Sequence, residues 1–266
     1  MVNLDVVNKN EKLSFEDFIE IIRLLRAPGG CPWDREQTHK SIRNDFLEEA
    51  YEAVDAIDTE DDSALCEELG DVLLQVALHS QIASEENSFD ITDVIDTVAR
   101  KMVLRHPHVF GDVKVADSQE VLSNWDKIKN VEKNMSSATD TLRSVPNAFP
   151  ALMRAQKVQK RAAKAGFDWD DYGGAFDKIG EETAELKKAI NGGNQTEIFE
   201  EFGDLLFSCV NVSRFLKINS EEALSAATNK FINRFSKVEA LAVERGIDMK
   251  TTSLEELDKL WDEAKK

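Results

Sequence analysis

Apolar residues recur every three to four positions along most of this chain, the spacing that gathers them onto one face of an α-helix. Phe15, Phe18, Ile19, Ile22 and Leu25 make the first such face. Ser14 precedes it with Asp17 three residues on, a capping-box variant that marks a helix start. The stretch "APGGCPWD" ends it, because Pro28 and two glycines break helical geometry. The pattern resumes from about Thr38 to Ile57, then from about Ala64 to Ser84 and from about Ile91 to Arg105. "DTEDDS" and "NSFD" are the turns between these helices, and "HPHVFGD" is a loop before a short helix near Ser118 to Lys133. Residues 134–149 are rich in Ser, Thr, Asn and Pro, show no clear period and read as a linker. Beyond them the helical pattern begins again. With five prolines and twelve glycines in 266 residues, the sequence predicts a nearly all-α protein.

The second beginning is a copy of the first. "FLEEAYEA" and "CEELGDVLL" in the first half return as "IGEETAEL" and "FEEFGDLLF". Glu49, Glu52, Glu68 and Asp71 recur 133 residues later as Glu182, Glu185, Glu201 and Asp204, and Glu48 recurs as Glu181. Trp33 pairs with Trp169 and Trp125 with Trp261 at an offset of 136, and Lys101 and Arg105 pair with Lys230 and Arg234 at 129. Drifting offsets are what loop insertions produce. The chain reads as two tandem duplicated domains of four-helix type, residues 14–133 and 150–265.

Duplication filters the chemistry. All four histidines lie in the first half, and none of Cys31, Cys66 and Cys209 has a repeat partner. A His base, a Cys nucleophile or a His-held metal is therefore a poor candidate for what the two halves share. Carboxylates do recur. Glu49 and Glu52 are three apart and so share a helix face. Glu68 and Asp71 repeat that spacing on the next helix, and sixteen residues from Glu52 to Glu68 suit an antiparallel αα-hairpin. Four converging carboxylates are destabilising without cations. Oxygen-only donors select a hard ion, Mg²⁺ or Mn²⁺, and Mg²⁺ completes its shell with water and substrate phosphates.

The remaining repeated residues leave choices open. Glu48 and Glu181 point about 100° away from their neighbours and serve as ligand supports, as a base for water, or as surface. Lys101 with Arg105, and Lys230 with Arg234, each share a face and either clamp phosphate oxygens or form a solvated basic pair. Trp33 and Trp169 either stack on a nucleobase or pack in the core. Trp125 and Trp261 close over a site or simply pack.

Charge narrows the partners. Fifty-one acidic against thirty-three basic residues give a net charge of −18, which argues against polymeric nucleic acid. A small anionic substrate stays open, because a bound metal inverts the local field. There is no apolar run of membrane-spanning length and no apolar leader at the N-terminus. Three scattered cysteines suit a reducing cytoplasm.

At this point the motifs resemble a known family. "GGCPWDREQTHKSI", "FLEEAYEAVDAI", "EELGDVLLQVALHSQIA" and "RHPHVFGD" are similar to the first domain of MazG. "ALMRAQKVQKRAAKAGFDWDD", "EETAEL", "EEFGDLLFSCVNVSR" and "NKFINRF" are similar to its second. The resemblance covers nearly the whole chain in order, and the EExxE…ExxD pairing is the mark of the all-α NTP pyrophosphatase superfamily. It implies a Mg²⁺-dependent, homodimeric nucleoside triphosphate pyrophosphohydrolase of broad base tolerance, cleaving between the α and β phosphates to nucleoside monophosphate and pyrophosphate. It carries metal-ligand roles onto the eight repeated carboxylates, and catalytic phosphate-clamping roles onto Lys230 and Arg234. "RKMVLRHP" departs from "NKFINRF", so the roles of Lys101 and Arg105 carry over less well and the second half is expected to turn over more. Two rivals stand beside it. A di-iron carboxylate protein would need His three after the second Glu, where Asp71 and Asp204 stand. The other is a helical scaffold whose acidic sites only bind ions.

Overall fold

The computed structural model describes residues 12–132 and 135–265, and every regular element among them is an α-helix. The chain divides into two compact units between Ile128 and Lys129. The first unit contains α1 (Phe15–Arg26), α2 (Pro32–Glu36), α3 (Arg43–Asp58), α4 (Asp62–Glu85), α5 (Ile91–Arg105) and α6 (Pro107–Phe110). Helix α7 (Ser118–Glu132) runs across the division, and Lys133 lies outside the described residues. The second unit contains α8 (Ala138–Arg143), α9 (Ala151–Lys164), α10 (Tyr172–Gly192), α11 (Gln195–Phe215), α12 (Ser220–Glu244) and α13 (Leu254–Ala264).

Local chemistry sets most helix ends. Ser14 and Asp17 form the reciprocal capping box that their spacing predicts, and Asp61 and Asp90 accept the first amides of α4 and α5. Gly29 turns the chain after α1 with φ +90, and Gly193 ends α10 with φ +73 in the left-handed region that glycine enters without strain. Three helices were not legible in the apolar period, α2, α8 and the four-residue α6, which Pro107 starts inside the stretch expected as a loop. Pro32 starts the five-residue α2 inside "CPWDRE", where proline's missing amide is no loss at a first-turn position. Helix α8 lies in the stretch expected as linker, started by a Ser137–Asp140 capping box. In addition α3 begins at Arg43 rather than Thr38, because Thr38 and Ser41 bond to each other in a turn before it.

Each unit is organised on one long αα-hairpin, α3–α4 in the first and α10–α11 in the second. Ala53 and Ala56 are the buried residues of α3, while Ala175 and Ala189 are buried on α10. Small side chains at these positions let two helix backbones come close. Helix α1 covers the far end of its hairpin, where Ile22, Ile42, Ala77, Leu78 and Ile82 form a core with Phe18, Ile19, Leu25 and Leu74 packed around it. In the second unit a separate core joins α12 to α13 through Val238, Ala242, Leu260 and Ala264.

A buried arginine ties the first unit together. Arg26, only 8% exposed, grips Glu85 at the end of α4 through Nε (3.0 Å) and Nη2 (2.8 Å). Its Nη1 donates to the carbonyls of Asp34 and Gln37, so the same guanidinium holds the loop around α2. Removing it would strand two carbonyls and leave Glu85 with only its hydrogen bond from Gln81. Arg26→Ala is expected to destabilise the first unit by about 2 kcal/mol, measured as a lower urea midpoint with an unchanged slope.

Candidate metal and phosphate site

Three of the four repeated carboxylates converge in each unit. Glu49, Glu68 and Asp71 each offer an oxygen within 4.8 Å of the others, and Glu182, Glu201 and Asp204 do the same. The hairpin creates this. Glu49 on α3 and Glu182 on α10 face the ExxD pair of the following helix across the antiparallel crossing. Glu52 and Glu185 stand exposed at the rim, outside the converging trio. They are close in field all the same, because each heads the like charges acting on its neighbour, Glu52 on Glu68 and Glu185 on Glu201.

Crowding shows in the electrostatics. Glu49, Glu68 and Glu201 are all pushed above the usual carboxylate range, first by partial burial and then by neighbouring carboxylates. For Glu49 those neighbours are Asp71, Glu52, Glu48 and Asp45. Glu182 is the most deeply placed ligand candidate at 5% exposed, and it is compensated locally: Lys178 Nζ lies 2.6 Å from Glu182 Oε1 and 3.0 Å from Glu181 Oε1. Sequence reasoning passed over Lys178, although its four-residue spacing to Glu182 was a readable signal. The ion pair also gives Glu181 a place, as the lysine's second, exposed partner.

An oxygen-only, partly buried trio with a fourth carboxylate at its rim fits a hard divalent cation, and no His or Cys joins either cluster. Lys230 and Arg234 share one face of α12 with Asn229, Asn233 and Lys237. With Lys265 they line a cleft of about 500 Å³. None of the carboxylates lines that cleft. Each arginine of the repeated pairs lies against a tryptophan of its own half: Arg234 is 5.9 Å from the Trp261 ring centre and Arg105 is 5.5 Å from that of Trp125. A cation over an indole face is attracted by the ring quadrupole, so these tryptophans hold the basic side chains. Trp33 is 59% exposed and Trp169 45%, which removes core packing as their role. Trp169 packs against Gly174 of α10, where an added Cβ would come 2.7 Å from the indole Cγ.

Two helical hairpins, each presenting a carboxylate cluster of oxygen donors alone, define a duplicated all-α protein with acidic sites fit for divalent cations. The chain belongs to the MazG family: the MazG nucleotide pyrophosphohydrolase domain matches residues 37–110 and again residues 176–239. Over 257 residues it is 44% identical to the nucleoside triphosphate pyrophosphohydrolase/pyrophosphatase MazG of Thermotoga maritima, covering 97% of this chain and 98% of that one. It is 43% identical over 253 residues to the nucleoside triphosphate pyrophosphohydrolase of Escherichia coli K12, covering 93% and 95%. The Bacillus subtilis protein YabN is 51% identical over 261 residues, which span 97% of this chain and 53% of that longer protein.

The raised carboxylates make a stability prediction. A carboxylate whose folded pKa exceeds its unfolded one favours the folded state below the unfolded value, and that contribution is lost as pH rises through the folded value. Without divalent cations, Glu68→Gln and Glu201→Gln are therefore expected to melt above the parent protein at pH 7. The difference should shrink as pH falls toward the ordinary carboxylate value of 4.5. Added Mg²⁺ should raise the parent's midpoint at pH 7 and the variants' less, measured by differential scanning fluorimetry.

Proposed function

We propose that this chain is a nucleoside triphosphate pyrophosphohydrolase that uses Mg²⁺ to cut between the α and β phosphates. The observation that carries the reading is the carboxylate trio built twice, by the same spacing, on two equivalent hairpins. The names of the Thermotoga and Escherichia relatives support the reaction, and the donor set supports a hard cation, Mg²⁺ with Mn²⁺ as a substitute. Glu49, Glu68 and Asp71 in one unit, and Glu182, Glu201 and Asp204 in the other, would hold it, with Glu52 and Glu185 at the rim. Bound there, the ion would supply charge neutralisation on the phosphates and a more acidic water.

The chain's own residues account for the rest. Lys230 and Arg234 offset charge on the leaving pyrophosphate, with Trp261 fixing the guanidinium. Lys101 and Arg105 hold the corresponding places in the first half. The exposed faces of Trp169 and Trp33 take a base of any kind, which supports broad specificity. No Cys or His recurs in both halves, and the serine that does, Ser80 with Ser213, donates each hydroxyl to a carbonyl of its own helix, so the hydrolysis proceeds without a covalent intermediate. The cysteines are free and no helix among the described residues is long and apolar enough to cross a membrane, in keeping with work in the cytoplasm.

We also propose a homodimer. Phe176, Ile190, Phe199, Phe202 and Leu206 are exposed along α10 and α11, and Leu47, Tyr51, Val54 and Ile57 along α3. Apolar side chains exposed in such density normally meet a partner. Light scattering on the eluting peak should give a mass near twice the 29.9 kDa of one chain; a monomer at micromolar concentration refutes the dimer.

The reaction is tested with a panel of ordinary and damaged nucleoside triphosphates. Monophosphate and pyrophosphate are the expected products, with loss of turnover on chelation. Glu182→Gln and Glu201→Gln should each lower kcat by about 100-fold or more. Release of orthophosphate instead, or full activity in EDTA, overturns the assignment. Glu52→Gln and Glu185→Gln, assayed separately, divide the turnover between halves, and the loss is expected chiefly from Glu185→Gln.

A further inference from the structure

The two carboxylate clusters share their ligands but differ one helical turn before the first of them. Lys178 stands four residues ahead of Glu182, and 133 residues earlier Asp45 stands four ahead of Glu49. We propose that this position sets how each cluster takes its divalent cation: the first, with Asp45, fills from free ions in solution, and the second, with Lys178, admits free ions only against its own ammonium. The inference rests on the metal-dependent reading above and deepens it.

Geometry supports a resident counter-ion in the second unit. Glu182 is almost fully buried, and a buried carboxylate needs a compensating charge. Lys178 supplies it at 2.6 Å. Helix propensity alone does not account for the pair, because Lys ahead of Glu at this spacing is the weaker order. Burial of the carboxylate holds it. The lysine is half-exposed and already touches Glu181 at 3.0 Å, so it has a second seat when an ion claims Glu182.

The first unit has the opposite balance. Asp45, Glu48, Glu52 and Asp71 are the charges that act on Glu49, all of them negative. Those acting on Glu68 are Glu52, Asp71, Glu67 and Glu49, negative again. Replacing an ammonium by a carboxylate at one equivalent position changes the local charge by two units. Such a difference favours a bare dication at close range and acts with the opposite sign on the dication's complex with a triphosphate, which stays net negative. The second cluster is thus biased against bare Mg²⁺ but not against Mg²⁺ that arrives chelated by the negative charge of a triphosphate. Cation entry and substrate entry are coupled in the second unit and uncoupled in the first.

The test measures binding, not turnover. Mn²⁺ is titrated into the full-length protein without nucleotide, and free Mn²⁺ is followed by its electron paramagnetic resonance signal. Two classes of site are expected, the tighter removed by Glu68→Gln and the weaker by Glu201→Gln. Lys178→Gln should tighten the weaker class about tenfold, equivalent to about 1.4 kcal/mol. Asp45→Lys should weaken the tighter class by tenfold or more, with Asp45→Asn as the milder change if the lysine disturbs folding by circular dichroism. The proposal is overturned if Lys178→Gln leaves the second cluster's affinity unchanged, if the second cluster is the tighter, or if neither binds Mn²⁺ without nucleotide. Pyrophosphate release by the parent enzyme at saturating Mg²⁺ does not depend on these affinities, so the two readings fail separately.

Discussion

Repulsion between carboxylates is the constraint around which this protein is arranged. An isolated hairpin carrying Glu49, Glu68 and Asp71 on its inner face would splay, because partial burial and like charge both raise the cost of ionisation there. The neighbouring helices oppose that tendency. Alanines at the α3 and α10 crossing positions allow close approach, and the core around Ile22, Ile42 and Leu78 clamps the far end of the first hairpin. Acid cluster and apolar clamp thus lie on one helix pair, separated by two to three turns of α4. The site is held in a high-energy arrangement by packing that lies outside it, the usual relation between a reactive site and its scaffold.

Duplication shows which features the cluster requires and which it tolerates. The trio, the rim glutamate and the arginine–tryptophan pair are present in both units. The groups around the trio are not. The second unit neutralises its deepest glutamate with Lys178, and the first adds Asp45 and leaves the equivalent Glu49 less buried. The basic residues diverge in a second way, since Lys230 and Arg234 open onto a cleft with Asn229, Asn233 and Lys265. Two sites that began alike now differ in charge, in depth and in what stands opposite them, while the hairpin that carries them has kept its register.

Much of this was legible in the sequence because it is periodic. Helix α5 spans Ile91–Arg105 as its apolar spacing predicts, and the repeated three-residue steps of acid put two carboxylate pairs on facing helices in each half, three of whose four members converge. Features without a period were hidden. Helix α2 depends on a proline at its first turn and α8 on one capping box, each too short for an apolar face to appear. Exposure was hidden as well. Helical spacing puts Glu52 on the face of Glu49 but does not say that it stops at the rim, and it left Trp33 and Trp169 between core and surface. The arginine–tryptophan contacts join residues on separate helices, some twenty to twenty-seven positions apart, beyond the reach of any local pattern.

The exposed apolar faces follow from the same constraint. A helix whose inner face is given over to carboxylates cannot use that face for a full apolar seam, and α10 buries only two alanines and Glu182. Its aromatic residues, and those of α11, are therefore displaced to the outside, where Phe176, Phe199 and Phe202 remain uncovered in the single chain. At about 25 cal/mol per Å² of apolar surface removed from water, covering side chains of that size would supply stabilisation that the hairpin forgoes internally. Acidic chemistry on the inside and association on the outside are then two consequences of one placement, because the positions lost to the cluster are the ones a self-sufficient helix pair would have filled with leucine.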